Sequence, residues 1–254
     1  MRVWTIAIGF FKETVLQSVY FSLILFFSFL ILSTRILTLF GMGDEVRMMQ
    51  EMGISSLTLA GLLITLLVAT HVISEEIRKR TLVTLLSKPV HTWELICGKF
   101  LGIALVLLLA YLILSSVFYL TLWWKGEGYT GSDLPKGILL SYLQVLIIAA
   151  LSMGFSIFLP LTTNAALCLS LFALGHLSSF IYGSALKGGT FAKGLGKVVY
   201  LFVPNLSFLD LTFAIGLGRP VSSIYMGWAV LYSLFYIGIT LYAASVMIDR
   251  REMY

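Results

Sequence analysis

Six stretches of 20 to 28 residues contain no Asp, Glu, Lys or Arg: Val15–Thr34, Ile54–Ser74, Phe100–Trp124, Gly137–Leu159, Ala165–Leu186 and Val221–Ile248. A hydrocarbon core about 30 Å thick is crossed by roughly 20 apolar helical residues, and a helix satisfies all its backbone polar groups within one segment. The runs therefore predict an all-α integral membrane protein with six transmembrane helices, residues 1–254 forming a single membrane domain. Only 11% of the residues are charged, against about 25% in a soluble domain, too few to cover a water-facing surface. The fourth and fifth runs are one charge-free block, divided at Pro160–Asn164, where proline, two threonines and asparagine suit a tight turn.

Two segments flank this set. Residues 1–14 mix Trp4, Ile6, Ile8, Phe10 and Phe11 with Arg2, Lys12 and Glu13, as an interfacial elbow helix would. The apolar run after them lacks a small-x-small cleavage site and is expected to stay attached. Residues 187–220 are rich in glycine, apolar from Val198 to Leu217 and broken by Pro204, which predicts an external or re-entrant element before the sixth span. The net charge of +5 comes from short basic clusters beside the spans, a topology signal and not a nucleic-acid surface. With six spans both termini share one side. Charge density favours the cytoplasm, with Arg78, Lys79, Arg80, Lys88 and Lys99 inside and Lys187, Lys193 and Lys197 outside. Cys97 and Cys168 lie far apart, with no spacing for a disulfide or a metal site.

The most charged stretch, residues 75–99, directly follows the second span. Glu75 with Lys79 and Glu76 with Arg80 are i, i+4 pairs with the acid first, so the second helix is expected to project beyond the bilayer. Leu82, Leu85 and Leu86 give it an apolar stripe, and Ser87, Lys88 and Pro89 end it. A short helix starting near Thr92 then offers Trp93, Leu95 and Ile96 to a cytosolic protein.

These residues resemble the permeases of type-2 ABC exporters, in particular the multicopper-enzyme maturation subgroup. The likeness runs through Glu76, Arg80, Thr81, Leu85, Leu86, Ser87, Lys88, Pro89, Gly98 and Lys99, then Pro204, Asn205 and Leu206, and closes on Arg250 and Arg251. It departs at His91 and Thr92, where the family usually has an arginine, and at Asp249. The resemblance implies the transmembrane subunit of an ATP-driven exporter in a prokaryotic cell membrane, dimeric with a second copy or a paralogue. It also implies a coupling helix in residues 75–99 and a separate cytosolic ATP-binding subunit that holds ATP and Mg. The chain itself is expected to bind no cofactor: Gly98-Lys99 and Gly196-Lys197 lack the rest of a Walker loop.

Several patterns compete with this reading. Glu75, Glu76 and Arg80 spell E-E-x-x-x-R, and Phe172 with His176 spells F-x-x-x-H, as in intramembrane CAAX-type endopeptidases, but no histidine follows His176 to supply the third motif. A non-transporting membrane scaffold is a further alternative. Met42, Met48, Met49 and Met52 crowd the loop after the first span, a pattern read as apolar packing over copper binding because no histidine or cysteine joins it. Within the spans, Thr58, Gly61 and Thr65 on the second and Asn164, His176 and Ser179 on the fifth are the pathway candidates, with close helix packing as the alternative. No charged signature among them selects a substrate.

Overall fold

The computed structural model describes residues 2–37, 45–79, 92–124, 133–187 and 203–252. Among them the regular structure is entirely helical: α1 (Arg2–Val15), α2 (Ser18–Leu37), α3 (Glu45–Lys79), α4 (Thr92–Trp123), α5 (Leu134–Phe155), α6 (Leu161–Lys187), a 3-10 turn at Leu206–Phe208, α7 (Thr212–Gly216) and α8 (Ser223–Glu252). Six of these helices, α2 to α6 and α8, are long and apolar enough to cross a membrane.

The bundle is built around α5, which touches α3, α4, α6 and α8. Its middle is buried on nearly every side and mostly apolar, with Leu140, Val145, Ile147, Ile148 and Met153 fully buried, the pattern of a helix enclosed all round. By contrast α2, α6 and α8 are the least enclosed. They turn Phe29, Phe180 and Phe235 outward, as spans bordering lipid or another chain do.

The N-terminal helix is clamped to α4 by two glycines one turn apart. A Cβ on Gly98 would lie 3.0 Å from Ile6 Cβ and 3.1 Å from Val3 O, and one on Gly102 would lie 2.8 Å from Phe10 Cδ1 and 3.1 Å from Ala7 O. Val3, Ile6, Ala7 and Phe10 follow the i, i+3, i+4, i+7 stripe of one helical face, and the G-x-x-x-G spacing lets the two backbones approach. Gly102→Leu should therefore push α1 off α4 at a cost of about 1–3 kcal/mol, read as a lower thermal midpoint in detergent. Gly9→Leu, at a position with nothing within 4 Å of the added Cβ, should leave that midpoint unchanged or raise it.

Three expectations are corrected in detail. The second membrane helix begins at Glu45, not Ile54, because an Arg47–Glu51 ion pair of 2.8 Å supports charged residues on an extra N-terminal stretch. Met48, Met49 and Met52 consequently stand on a helix rather than in a loop, with Met49 fully buried; Met42 lies outside the described residues. The break between the fourth and fifth spans falls at residues 156–160, and Thr162, Thr163 and Asn164 occupy the first turn of α6. From that turn the Asn164 Nδ2 donates to Ser152 O at 2.9 Å, a second hydrogen bond to a carbonyl that already accepts from Ser156 N–H, and so ties the start of α6 to the end of α5. Finally, Thr92 does start a helix, but nothing between it and Phe100 breaks it, so it runs unbroken into the third span.

Residues 203–221 fold back over the end of the bundle where α3 and α5 begin. The Arg47 guanidinium sits 5.1 Å over the Phe213 ring, and a Cβ on Gly216 would meet Glu51 Oε1 at 2.6 Å. Asp133, just before α5, accepts from Val221 N–H at 3.2 Å and pairs with Lys136 at 2.6 Å, while Lys136 Nζ donates to Val221 O at 2.8 Å. The Lys136 and Val221 hydrogen bonds hold the Asp133 carboxyl below the usual carboxylate range. This fastening is complete above the ordinary carboxylate pKa and is lost only as acid protonates Asp133 below it.

Candidate functional site

The densest polar constellation in an otherwise apolar bundle gathers on Pro204, Asn205 and Leu206. Asn205 precedes the 3-10 turn and caps it, its Oδ1 accepting from Phe208 N–H at 3.2 Å. The same oxygen is reached by Ser207 Oγ at 2.7 Å and, from α6, by Ser178 Oγ at 3.1 Å and Ser179 Oγ at 3.4 Å. Ser179 and Ser207 also share a hydrogen bond of 2.6 Å. From α8, Tyr232 OH accepts from Asn205 N–H at 2.9 Å, and Tyr225 OH donates to Phe208 O. From α5, Gln144 Nε2 donates to Leu206 O at 2.9 Å, with Gln144 itself buried. One short turn thus ties three spans together.

A glycine makes the approach possible. A Cβ on Gly175 of α6 would fall 2.7 Å from Leu206 Cγ and 2.8 Å from Pro204 O, so only a residue without one lets the turn sit against the helix. One residue on, His176 directs Nε2 toward Asp210 Oδ2 at 3.8 Å and Nδ1 toward Phe172 O at 3.2 Å. Both ring nitrogens thus face oxygen atoms, one on the α6 backbone and one on the segment that follows the turn.

The pathway candidates divide between this hub and the helix interfaces. His176 and Ser179 belong to the hub. Asn164 does not: it lies 12 residues earlier on α6, about 18 Å along the axis, bonded to Ser152. On α3, Thr58 returns its hydroxyl to Ile54 O at 3.0 Å and Thr65 is fully buried. Gly61 opens the space that Tyr111 of α4 and Val145 of α5 fill, at 2.8 and 3.0 Å from a Cβ placed there. Gln144, Ser178, Asp210 and Tyr232 join the hub without belonging to any motif of the sequence. Gln144 carried the one available signal, an amide inside an apolar run.

Of the coupling residues, Glu75 and Glu76 ride the last turns of α3. Arg80, Thr81, Leu85, Leu86, Lys88 and Pro89 lie outside the described residues. Trp93 stands in the first turn of α4, 56% exposed, five residues before Gly98 receives α1. The endopeptidase pairing finds no support in this arrangement. The turn carrying Glu75 lies about 36 Å along α3 from Glu51, and it is Glu51 that meets Gly216, close in the chain to the Asp210 that faces His176.

Over residues 32–212 the sequence matches the family model described as "ABC-2 family transporter protein". The chain belongs to the ABC-2 transporter family. The match begins in the last turns of α2, takes in α3 to α6 and ends just past the Pro204–Leu206 hub. Among the curated proteins none matches the chain. An ABC-2 permease is a multi-pass membrane transport subunit and not itself a catalyst, so the hub and the α1–α4 junction are to be understood as parts of a transport machine and not of an active site.

Proposed function

We propose that the chain is the membrane-spanning half of an ATP-driven exporter in the cell membrane of a prokaryote, working as a dimer with a second copy or a paralogue. A separate cytosolic ABC subunit binds ATP and Mg; this chain holds neither. The observation that carries the proposal is the family match combined with the build of the α3–α4 end. There α3 continues past its apolar stretch to Lys79, α4 begins at Thr92 with an exposed tryptophan, and α1 is locked against α4 within two turns. A force applied at residues 75–99 would reach α1 and the third span as one body. Residues 1–14 serve as the elbow along the inner surface, with both termini cytoplasmic, and residues 187–220 form the external re-entrant element. The likeness to multicopper-enzyme maturation permeases rests on the motif residues alone.

Of the pathway candidates, His176 and Ser179, beside the hub at the outer end, are the ones past which substrate moves; Thr58, Gly61, Thr65 and Asn164 are packed between helices and hold the walls of that route together. The hub supports this role because its one turn joins α5, α6 and α8 and so moves with all three. Gentle purification of the chain from its native membrane should bring with it a subunit that carries a Walker-type loop. Repeated recovery of the chain without any nucleotide-binding subunit would favour the scaffold reading instead.

A further inference from the structure

A groove of about 300 Å³ opens sideways between α4 and α5, away from the hub and from the α1–α4 junction. Its α4 wall runs from Leu108 to Tyr119 and its α5 wall from Pro135 to Tyr142. The two tyrosines at its centre, Tyr111 and Tyr142, meet edge to face at 5.3 Å. Neither offers a hydroxyl to the opening. Tyr142 OH donates to Ala104 O at 3.0 Å, and Tyr111 OH is buried against Gly61 of α3. The walls are therefore mostly ring carbons and aliphatic side chains, with the Ser115 hydroxyl turned back onto Leu112 O at 3.2 Å, and the volume is at the low end for a binding pocket, enough for a narrow apolar chain.

Its dimensions and position say which one. From Leu108 to Tyr119 the groove rises roughly 16 Å along α4, half of a hydrocarbon core about 30 Å thick. Just beyond Tyr119 the helix ends in Trp123 and Trp124, 78% and 68% exposed, the aromatic pair that marks headgroup level. The groove thus begins beneath the headgroups and stops near the bilayer midplane. Its rims, Leu112 and Leu139, are 57% and 44% exposed and continuous with the apolar outer surface.

We infer that the α4–α5 groove is a binding site for one acyl chain of a membrane phospholipid from the leaflet at the α5 N-terminal end, the outer leaflet in the proposed topology. The lipid fills a seam between two spans that no side chain among the described residues fills.

Full-length protein purified with its native lipids is compared by native mass spectrometry with Ser115→Trp, which places an indole in the groove, and with Leu234→Trp on the exposed face of α8. Ser115→Trp should lose one tightly held phospholipid per chain while Leu234→Trp keeps it. In wild-type protein, a phospholipid carrying a photoreactive group on its acyl chain should label residues 108–119 and 135–142 in preference to α8, a readout that does not depend on the variant folding. Labelling spread evenly over α8 and the groove, or an unchanged lipid count in Ser115→Trp, would overturn the site. A change of oligomeric state with the lipid count unchanged would instead make the groove a contact between copies and equally end the proposal.

Discussion

Asn205→Ala is expected to cost about 2–4 kcal/mol, combining a lost cap with an acceptor withdrawn from several hydroxyls, and to abolish transport. Its amide oxygen is the shared acceptor for Phe208 N–H and for hydroxyls from α6 and from the turn itself. Alanine removes the cap from Phe208 N–H and the acceptor that joins the hydroxyls of the turn to those of α6, leaving Ser178 only Gly175 O and Ser179 and Ser207 only each other, and the clamp between α6 and α8 weakens at its centre. Asn205→Asp keeps an acceptor oxygen and the cap, so it should retain much of the stability that alanine loses. Thermal unfolding in detergent compares the three proteins. An alanine variant that melts with the wild type and transports normally would show that the turn does not hold the spans together.

The second large effect is expected at Trp93. An aromatic side chain 56% exposed at the start of a helix is a costly feature in isolation and a natural anchor once a partner covers it. If it enters a cleft on the ATP-binding subunit, Trp93→Ala weakens association by about 2 kcal/mol, or about 30-fold in Kd. Trp123→Ala removes a similarly exposed indole at the opposite end of the same helix and should leave that association unchanged. Titrating the purified ATP-binding subunit onto each variant in nanodiscs measures both. Equal effects of the two substitutions would mean that Trp93 only touches lipid.

The spans were legible in the sequence because a charge-free run of membrane length has few other ways to fold. Their ends were less so. A search for uncharged residues stops at Ile54, whereas α3 starts at Glu45, where Arg47 and Glu51 neutralise each other and Met49 packs inward. The charge-free block does divide into two helices, but earlier than residue type suggests: Asn164 lies inside the second helix, where its amide bonds Ser152 O. The hub was visible only in fragments. Pro204, Asn205 and Leu206 stood out as a resemblance, and His176 and Ser179 as polar residues in a span. What joins them depends on Gln144, 62 residues from its partner Leu206, and on Tyr232, 27 residues from Asn205. Such pairings come from how α5, α6 and α8 pack, and no local pattern encodes that. In the same way Thr58, Gly61 and Thr65 formed a small-residue stripe, but its neighbours Tyr111 and Val145 emerge only from the assembled bundle.

The proposed role requires this subunit to couple to a nucleotide-driven motor. ATP hydrolysis by the purified ATP-binding subunit should be measured alone, then with the chain in proteoliposomes, and then with the Glu76→Lys chain. Reversing that charge turns the expected pair with Arg80 into repulsion, while the spans themselves are untouched. The account predicts that the wild-type chain changes the hydrolysis rate and that Glu76→Lys binds but no longer does so. A hydrolysis rate that is the same in all three preparations would contradict it.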